Sequence, residues 1–159
     1  MNFKEKINKK DLFKIPQYWY HISTTLKHKR IRLKPRNNEA GFNRNDSEPD
    51  VKRTCVGPSI SHCFTAVPYD SNDIFNIYRT SRKVKAARPY DIYDSHITLE
   101  GWLLRPVSFI KIGSLSLLYV QNKLGSVIQE SASSGSLRRT TKVLKWWQNK
   151  DLTRFIRPL

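Results

Sequence analysis

The order of apolar and polar positions divides the chain into short elements. YWYHIS (18–23) is aromatic and β-favouring, and RIRLK (30–34) alternates polar and apolar residues with period two. Both therefore read as strands, joined by a turn through TTLKH. RTCVG (53–57) predicts a further short strand. Pro58 then opens a helix through SISHCFTAV, where its missing N–H costs nothing, and Pro68 stops that helix. IFNIYRT (74–80) predicts another strand. In the longest apolar stretch, GWLLRPVSFIKIGSLSLLYV (101–120), Pro106 and Gly113 are expected to divide two or three strands.

The segments between these elements are polar. Residues 35–52 contain Gly41, Pro49 and three Asn between 37 and 43, and predict a long loop without a packed element. Gly and Ser density from 121 to 137, most plainly in SASSGS, predicts a linker. At the two ends the spacing becomes helical. Phe3, Ile7, Leu12 and Phe13 lead towards Pro16. Val143, Leu144, Trp147, Leu152, Phe155 and Ile156 follow a cap at Thr140 or Thr141. The expected organisation is a basic helix over 1–17, one domain over 18–120, a linker over 121–137 and a basic aromatic helix over 138–159. The fold class is α+β, a small mixed and mostly antiparallel sheet with short helices and basic helical terminal segments.

Charge changes this picture because of where it sits. The 159 residues carry a formal net charge of +16. Residues 1–36 hold eleven Lys or Arg against Glu5 and Asp11, and residues 138–159 hold seven against Asp151, so the stretch between them contributes +1. A nearly neutral domain with basic ends points to phosphate-bearing partners, nucleic acid or a nucleic-acid-bound protein. At the C-terminal end Arg138, Arg139, Lys142, Lys145, Lys150, Arg154 and Arg157 interleave with Trp146, Trp147 and Phe155. Cations of this kind neutralise phosphates while aromatic faces stack on unpaired bases. Two adjacent tryptophans cannot both face inward from one helix, so one of them is expected to stay exposed. A docked helix with solvated lysines is the plain structural alternative.

No apolar run approaches the length of a membrane span, and the opening MNFKEKINKKDLF lacks a signal-peptide core, so a cytoplasmic location is expected. Cys55 and Cys63 are too few for a disulfide framework and read as buried thiols. His62 beside Cys63 lacks the spacing of a structural zinc site, and no metal is expected.

Candidate chemistry centres on His21 and Glu100. WYHIST, the turn, RIRLKPR, a long polar loop, TCVGPSISHCFTAV, IYRT and LEGWLLRPVSFIKIG follow one another in an order that resembles small ADP-ribosyltransferases of the rifampin ADP-ribosyltransferase type, over residues 18 to about 112. The resemblance implies NAD as the cofactor consumed. It places His21 as the residue that grips NAD, with Ser23 and Thr24 beside it, and Glu100 as the acidic residue heading a late strand. In departure from that family, Ile22 and Ser23 stand where Gly-Thr is usual, and CVGPSIS has no tyrosine, so stacking on nicotinamide would fall to Phe64 or Tyr69. Arg79 and Arg82 are pyrophosphate candidates by proximity in sequence. The competing function is a non-catalytic nucleic-acid-binding or assembly protein of the kind that phages and viruses encode. What separates the two is whether His21 and Glu100 face one cleft.

Overall fold

The structure, a computed structural model, describes residues 12–37, 51–66, 73–89, 95–126, 128 and 137–158. It is an α+β arrangement of two antiparallel sheets. The larger sheet has the order β1 (Tyr20–Ser23), β4 (Ile74–Thr80), β6 (Val107–Ser116), β2 (Arg30–Leu33). The smaller one pairs β3 (Thr54–Val56) with β5 (Gly101–Leu103). The strand ladder joins the two: Tyr20 N–H donates to the Gly57 carbonyl at 2.9 Å, and Gly57 N–H returns to the Tyr20 carbonyl at 3.0 Å. β1 therefore lies between β4 and the end of β3.

Both faces of the larger sheet are covered. Phe75 and Ile77 of β4 pack with Tyr20, Ile60, Phe64, Leu115, Trp147 and Leu152, while Tyr78 packs with Trp19, Val56, Leu103 and Phe109 on the other face. Burial on two faces explains why IFNIYRT is apolar at most positions and not alternating. Trp19 is fully buried, and its Nε1–H donates to the Val84 carbonyl at 3.0 Å. The basic loop after β4 is exposed at Arg82, Lys83, Lys85 and Arg88.

Helix α1 (Ile60–Ala66) starts two residues after Pro58, because Ser59 takes the capping position: its Oγ accepts from His62 N–H at 3.1 Å. Pro58 thus precedes the cap and does not fill the first turn. Short helix α2 (Ser95–Thr98) precedes β5.

The 101–120 stretch departs from the predicted strands. Pro106 does separate β5 from β6, but Gly113 lies inside β6. Ile77 faces Gly113 and Tyr78 faces Lys111, so Ile112 is the extra residue of a bulge. Gly113 has φ +152°, and a Cβ there would lie 2.3 Å from the Arg157 carbonyl oxygen. That close approach lets Arg157 pair with Ser114 through hydrogen bonds of 2.8 and 3.0 Å. The final residues, expected to be a helix, instead extend the β6 edge. LLYV is no strand either. It opens helix α3 (Leu117–Leu124), capped by Ser116 and closed by Gly125 at φ +64°, so residues 121–124, expected in the linker, are helical. The chain from 129 to 136 lies outside the described residues.

Helix α4 (Leu137–Gln148) begins ahead of the predicted Thr140 or Thr141 cap and ends before Leu152. Asp151 Oδ1 then accepts from Thr153 N–H at 2.9 Å and Thr153 Oγ1 at 2.5 Å, which turns the chain into the 3-10 turn Thr153–Phe155. Of the predicted N-terminal helix, residues 1–11 lie outside the described residues. Leu12 is buried, Phe13 lies 5.7 Å from Trp19, and Gln17 bridges to Val84. No helix among the described residues is long and apolar enough to cross a membrane.

Candidate functional site

The junction of the two sheets forms a pocket of about 130 Å³ lined by His21, Ile22, Cys55, Val56, Gly57, His62, Cys63, Ala66, Thr98 and Glu100. His21 comes from β1, Cys55 from β3, His62 from α1 and Glu100 from the entry to β5. Gly57 makes the approach of β3 to α1 possible, since a Cβ at this position would lie 2.8 Å from Cys63 Sγ.

His21 is half-buried, with its Nδ1 3.3 Å from the Cys55 carbonyl oxygen and its ring 6.1 Å from that of Phe109. Desolvation pulls its pKa below the ordinary value. The hydrogen bond to Cys55 opposes that shift, and the Arg36 charge adds to it. The imidazole is therefore neutral at pH 7. A neutral ring whose Nδ1 meets a carbonyl carries its proton there, which leaves Nε2 as an acceptor for a hydroxyl group.

Glu100 Oε1 accepts from Trp102 Nε1–H at 2.7 Å, and Trp102 is held in turn under the Arg53 guanidinium, 4.0 Å from the ring centroid. The residue before it, Leu99, has φ +52°. A leucine in the left-handed region costs about 1–2 kcal/mol, and this strain sits at the step that directs Glu100 into β5. Cys55 is exposed by area, contrary to the expected buried thiol, while Cys63 is buried. Desolvation of the sulfur in the pocket wall, then the Glu100 charge and a hydrogen bond to Glu100, push the Cys55 thiol up to about 12, against an opposing pull from Arg53. It is a protonated donor to Glu100 at neutral pH and not a nucleophile.

His62 Nδ1 lies 2.6 Å from Ser59 Oγ. That pair is the helix cap itself, 2% exposed at both residues, and Ser59 does not line the pocket, so it is no serine–histidine catalytic pair. Among the described residues no group of three or more His, Cys, Asp or Glu is arranged to hold a metal ion.

The other residues singled out in the sequence stand elsewhere. Ser23 Oγ accepts from Thr25 and Leu26 N–H, closing the turn after β1, and Thr24 is exposed. Phe64 is fully buried, edge-on to Phe75 at 4.9 Å, and is a core side chain unable to stack on a ligand. Tyr69 lies outside the described residues. Arg79 projects from β4 to the ring of Tyr18 at 4.3 Å, and Arg82 is on the exposed loop; neither lines the pocket.

At the C-terminal end Trp147 is fully buried and cannot stack on a base. Its carbonyl accepts from Ser61 Oγ, while Gln148 Nε2 donates to Thr65 Oγ1 and the Ile97 carbonyl. These contacts clamp α4 onto α1. Trp146 is exposed, with Lys150 Nζ 4.3 Å from its centroid. Lys142, Lys145, Arg154 and Arg157 are exposed, and the side chains of Arg138 and Arg139 lie outside the described residues.

Sequence reasoning missed Cys55, His62 and Thr98 as pocket residues. None of the three carried a signal in the sequence, since the exposure of Cys55 between two buried neighbours in β3 is visible only in the structure. No protein-family model, no curated protein and no solved structure matches this chain.

Proposed function

We propose that the pocket between the sheets is the reaction centre of an NAD-dependent ADP-ribosyltransferase-type domain. The observation that carries this reading is the convergence of His21 and Glu100, from separate sheets and 79 residues apart in sequence, on one pocket. Pockets that enclose a whole small-molecule ligand measure about 300–1,000 Å³. A pocket of about 130 Å³ takes the ring or ribose at one end of NAD, and the rest of the dinucleotide lies along the rim. Arg36, an exposed cation whose charge is felt at His21, is the residue assigned to the pyrophosphate in this reading.

In this reading His21 Nε2 accepts a hydrogen bond from a ribose hydroxyl, and Glu100, fixed by Trp102 and Cys55, lies against the positive charge that grows on the ribose as the glycosidic bond loosens. The C1′–N bond breaks, nicotinamide leaves with the bonding pair, the acceptor atom bonds to C1′, and the acceptor's proton passes to Glu100.

The test is incubation with NAD labelled in its adenylate half, reading nicotinamide release and label transfer to protein, DNA and RNA. Transfer that falls about 10²–10³-fold in Glu100→Gln, and also in His21→Ala, supports the reading. Neither release nor transfer, with NAD failing to bind, overturns it.

A further inference from the structure

A second concavity lies where the chain end packs against β6 and α3. It is an open groove of about 560 Å³ lined by Ser116, Tyr119, Lys123, Arg154, Phe155, Ile156 and Arg157. Its lining holds three cations and no carboxylate. Tyr119 is 48% exposed, and Lys123, Arg154 and Arg157 are exposed as well. The walls are fixed by the backbone: Ser116 caps α3, Arg157 is paired to Ser114, and Ile156 N–H donates to the Thr153 carbonyl at 3.2 Å. Tyr119 and Phe155 meet edge to face at 6.3 Å, with Lys123 Nζ 5.6 Å from the Tyr119 centroid and the Arg154 guanidinium 4.6 Å from that of Phe155, so a flat ligand on Tyr119 takes the place of the exposed Lys123 ammonium.

Three cations around a groove that also offers an aromatic face match a base together with the phosphates on either side of it. Independently of the reading proposed for the sheet junction, we propose that this groove binds single-stranded nucleic acid, with one base laid on Tyr119 and the adjoining phosphates held by Lys123, Arg154 and Arg157. The concave wall favours a strand whose bases are unstacked, since a duplex keeps its base faces covered. A single phosphate would leave cations unmatched, and the basic helix α4 runs into the groove through the 3-10 turn, which favours a polymer over a free nucleotide.

The experiment is fluorescence anisotropy with a labelled single-stranded 12-mer, competed by duplex of the same sequence, by free nucleotides and by vesicles containing anionic lipid. Tyr119→Ala is expected to weaken binding by about five-fold or more, and Tyr119→Phe to preserve it. The triple variant Lys123→Gln/Arg154→Gln/Arg157→Gln is expected to reduce the slope of log affinity against log salt by about 2, at about 0.7 for each lost phosphate contact. A charge-matched triple variant on and beside β2, Arg30→Gln/Arg32→Gln/Lys34→Gln, controls for general attraction by a +16 chain.

Equal loss in the β2 control, unchanged binding in Tyr119→Ala, equal competition by duplex, or binding confined to free nucleotides or vesicles would each overturn the proposal. Should the groove triple variant lose its melting transition, the Tyr119 pair still decides the matter, because that ring lies at the surface.

Discussion

The two concavities of this protein differ in how they treat charge. The pocket at the sheet junction is small and half-enclosed, and its ionisable groups include a neutral histidine, a protonated thiol and one carboxylate engaged by an indole N–H. The groove beside α3 is open and several times larger, and it presents three exposed cations with two rings. A high net charge therefore says little about the pocket. The burial and hydrogen bonding that set proton positions at His21 and Cys55 come from the two sheets meeting, whereas the groove depends on cations that remain in water. The first arrangement suits chemistry on an enclosed group, and the second suits reversible capture of phosphates.

The largest expected effect separates the adjacent tryptophans. Trp147→Ala should cost about 3–5 kcal/mol in chemical denaturation, because it empties a fully buried site between α4 and α1. Trp146→Ala, on the exposed side, should cost less than about 1 kcal/mol. Equal costs would mean that α4 does not dock through Trp147.

Next in size, Glu100→Gln should lower label transfer from NAD by about 10²–10³-fold while leaving affinity for the single-stranded 12-mer unchanged. A parallel loss of both would merge the two concavities into one site. Ionic strength should act in the opposite sense. Raising salt from about 50 to about 200 mM should weaken oligonucleotide binding roughly 20-fold if three phosphates are engaged, and it should change the pocket chemistry far less.

The smallest effect is on stability against pH. Burial holds the His21 pKa below its unfolded value of 6.5. Above 6.5 the ring is neutral folded or unfolded, and its share of stability is fully present. As pH falls from 6.5 towards the folded pKa, the unfolded chain takes up a proton that the folded chain does not, and stability is lost. Thermal melts should show this acid-side decline reduced in His21→Gln. An identical slope in the variant would mean that His21 is solvated.

Much of the sheet was legible in the sequence. The ends of β4 coincide with IFNIYRT, and β1, β2 and β3 fall within their predicted segments, because β-favouring residues there are bounded by turn residues. The failures have local causes. LLYV is apolar throughout, a pattern that fits either a buried strand or a helix, and only the Ser116 cap and Gly125 settle it as helix. Gly113 reads as a breaker, yet it continues β6 beside the bulge at Ile112, and its lack of a Cβ admits the chain end to the strand. Pocket membership was anticipated for His21 and Glu100, which both line it. It was hidden for Cys55, His62 and Thr98, because the bridge between Tyr20 and Gly57 that assembles the pocket is a long-range contact.

The most direct test of two separate sites is an NMR titration that follows the indole N–H signals of the four tryptophans and the backbone amides, with NAD in one series and the single-stranded 12-mer in the other. The account predicts that NAD shifts the Trp102 indole, which donates to Glu100, together with amides of β1 and β3, and that the 12-mer shifts amides of α3 and the chain end around Tyr119 and Arg157. NAD shifts confined to the Tyr119 groove, or no response at Trp102 at saturating NAD, would contradict it.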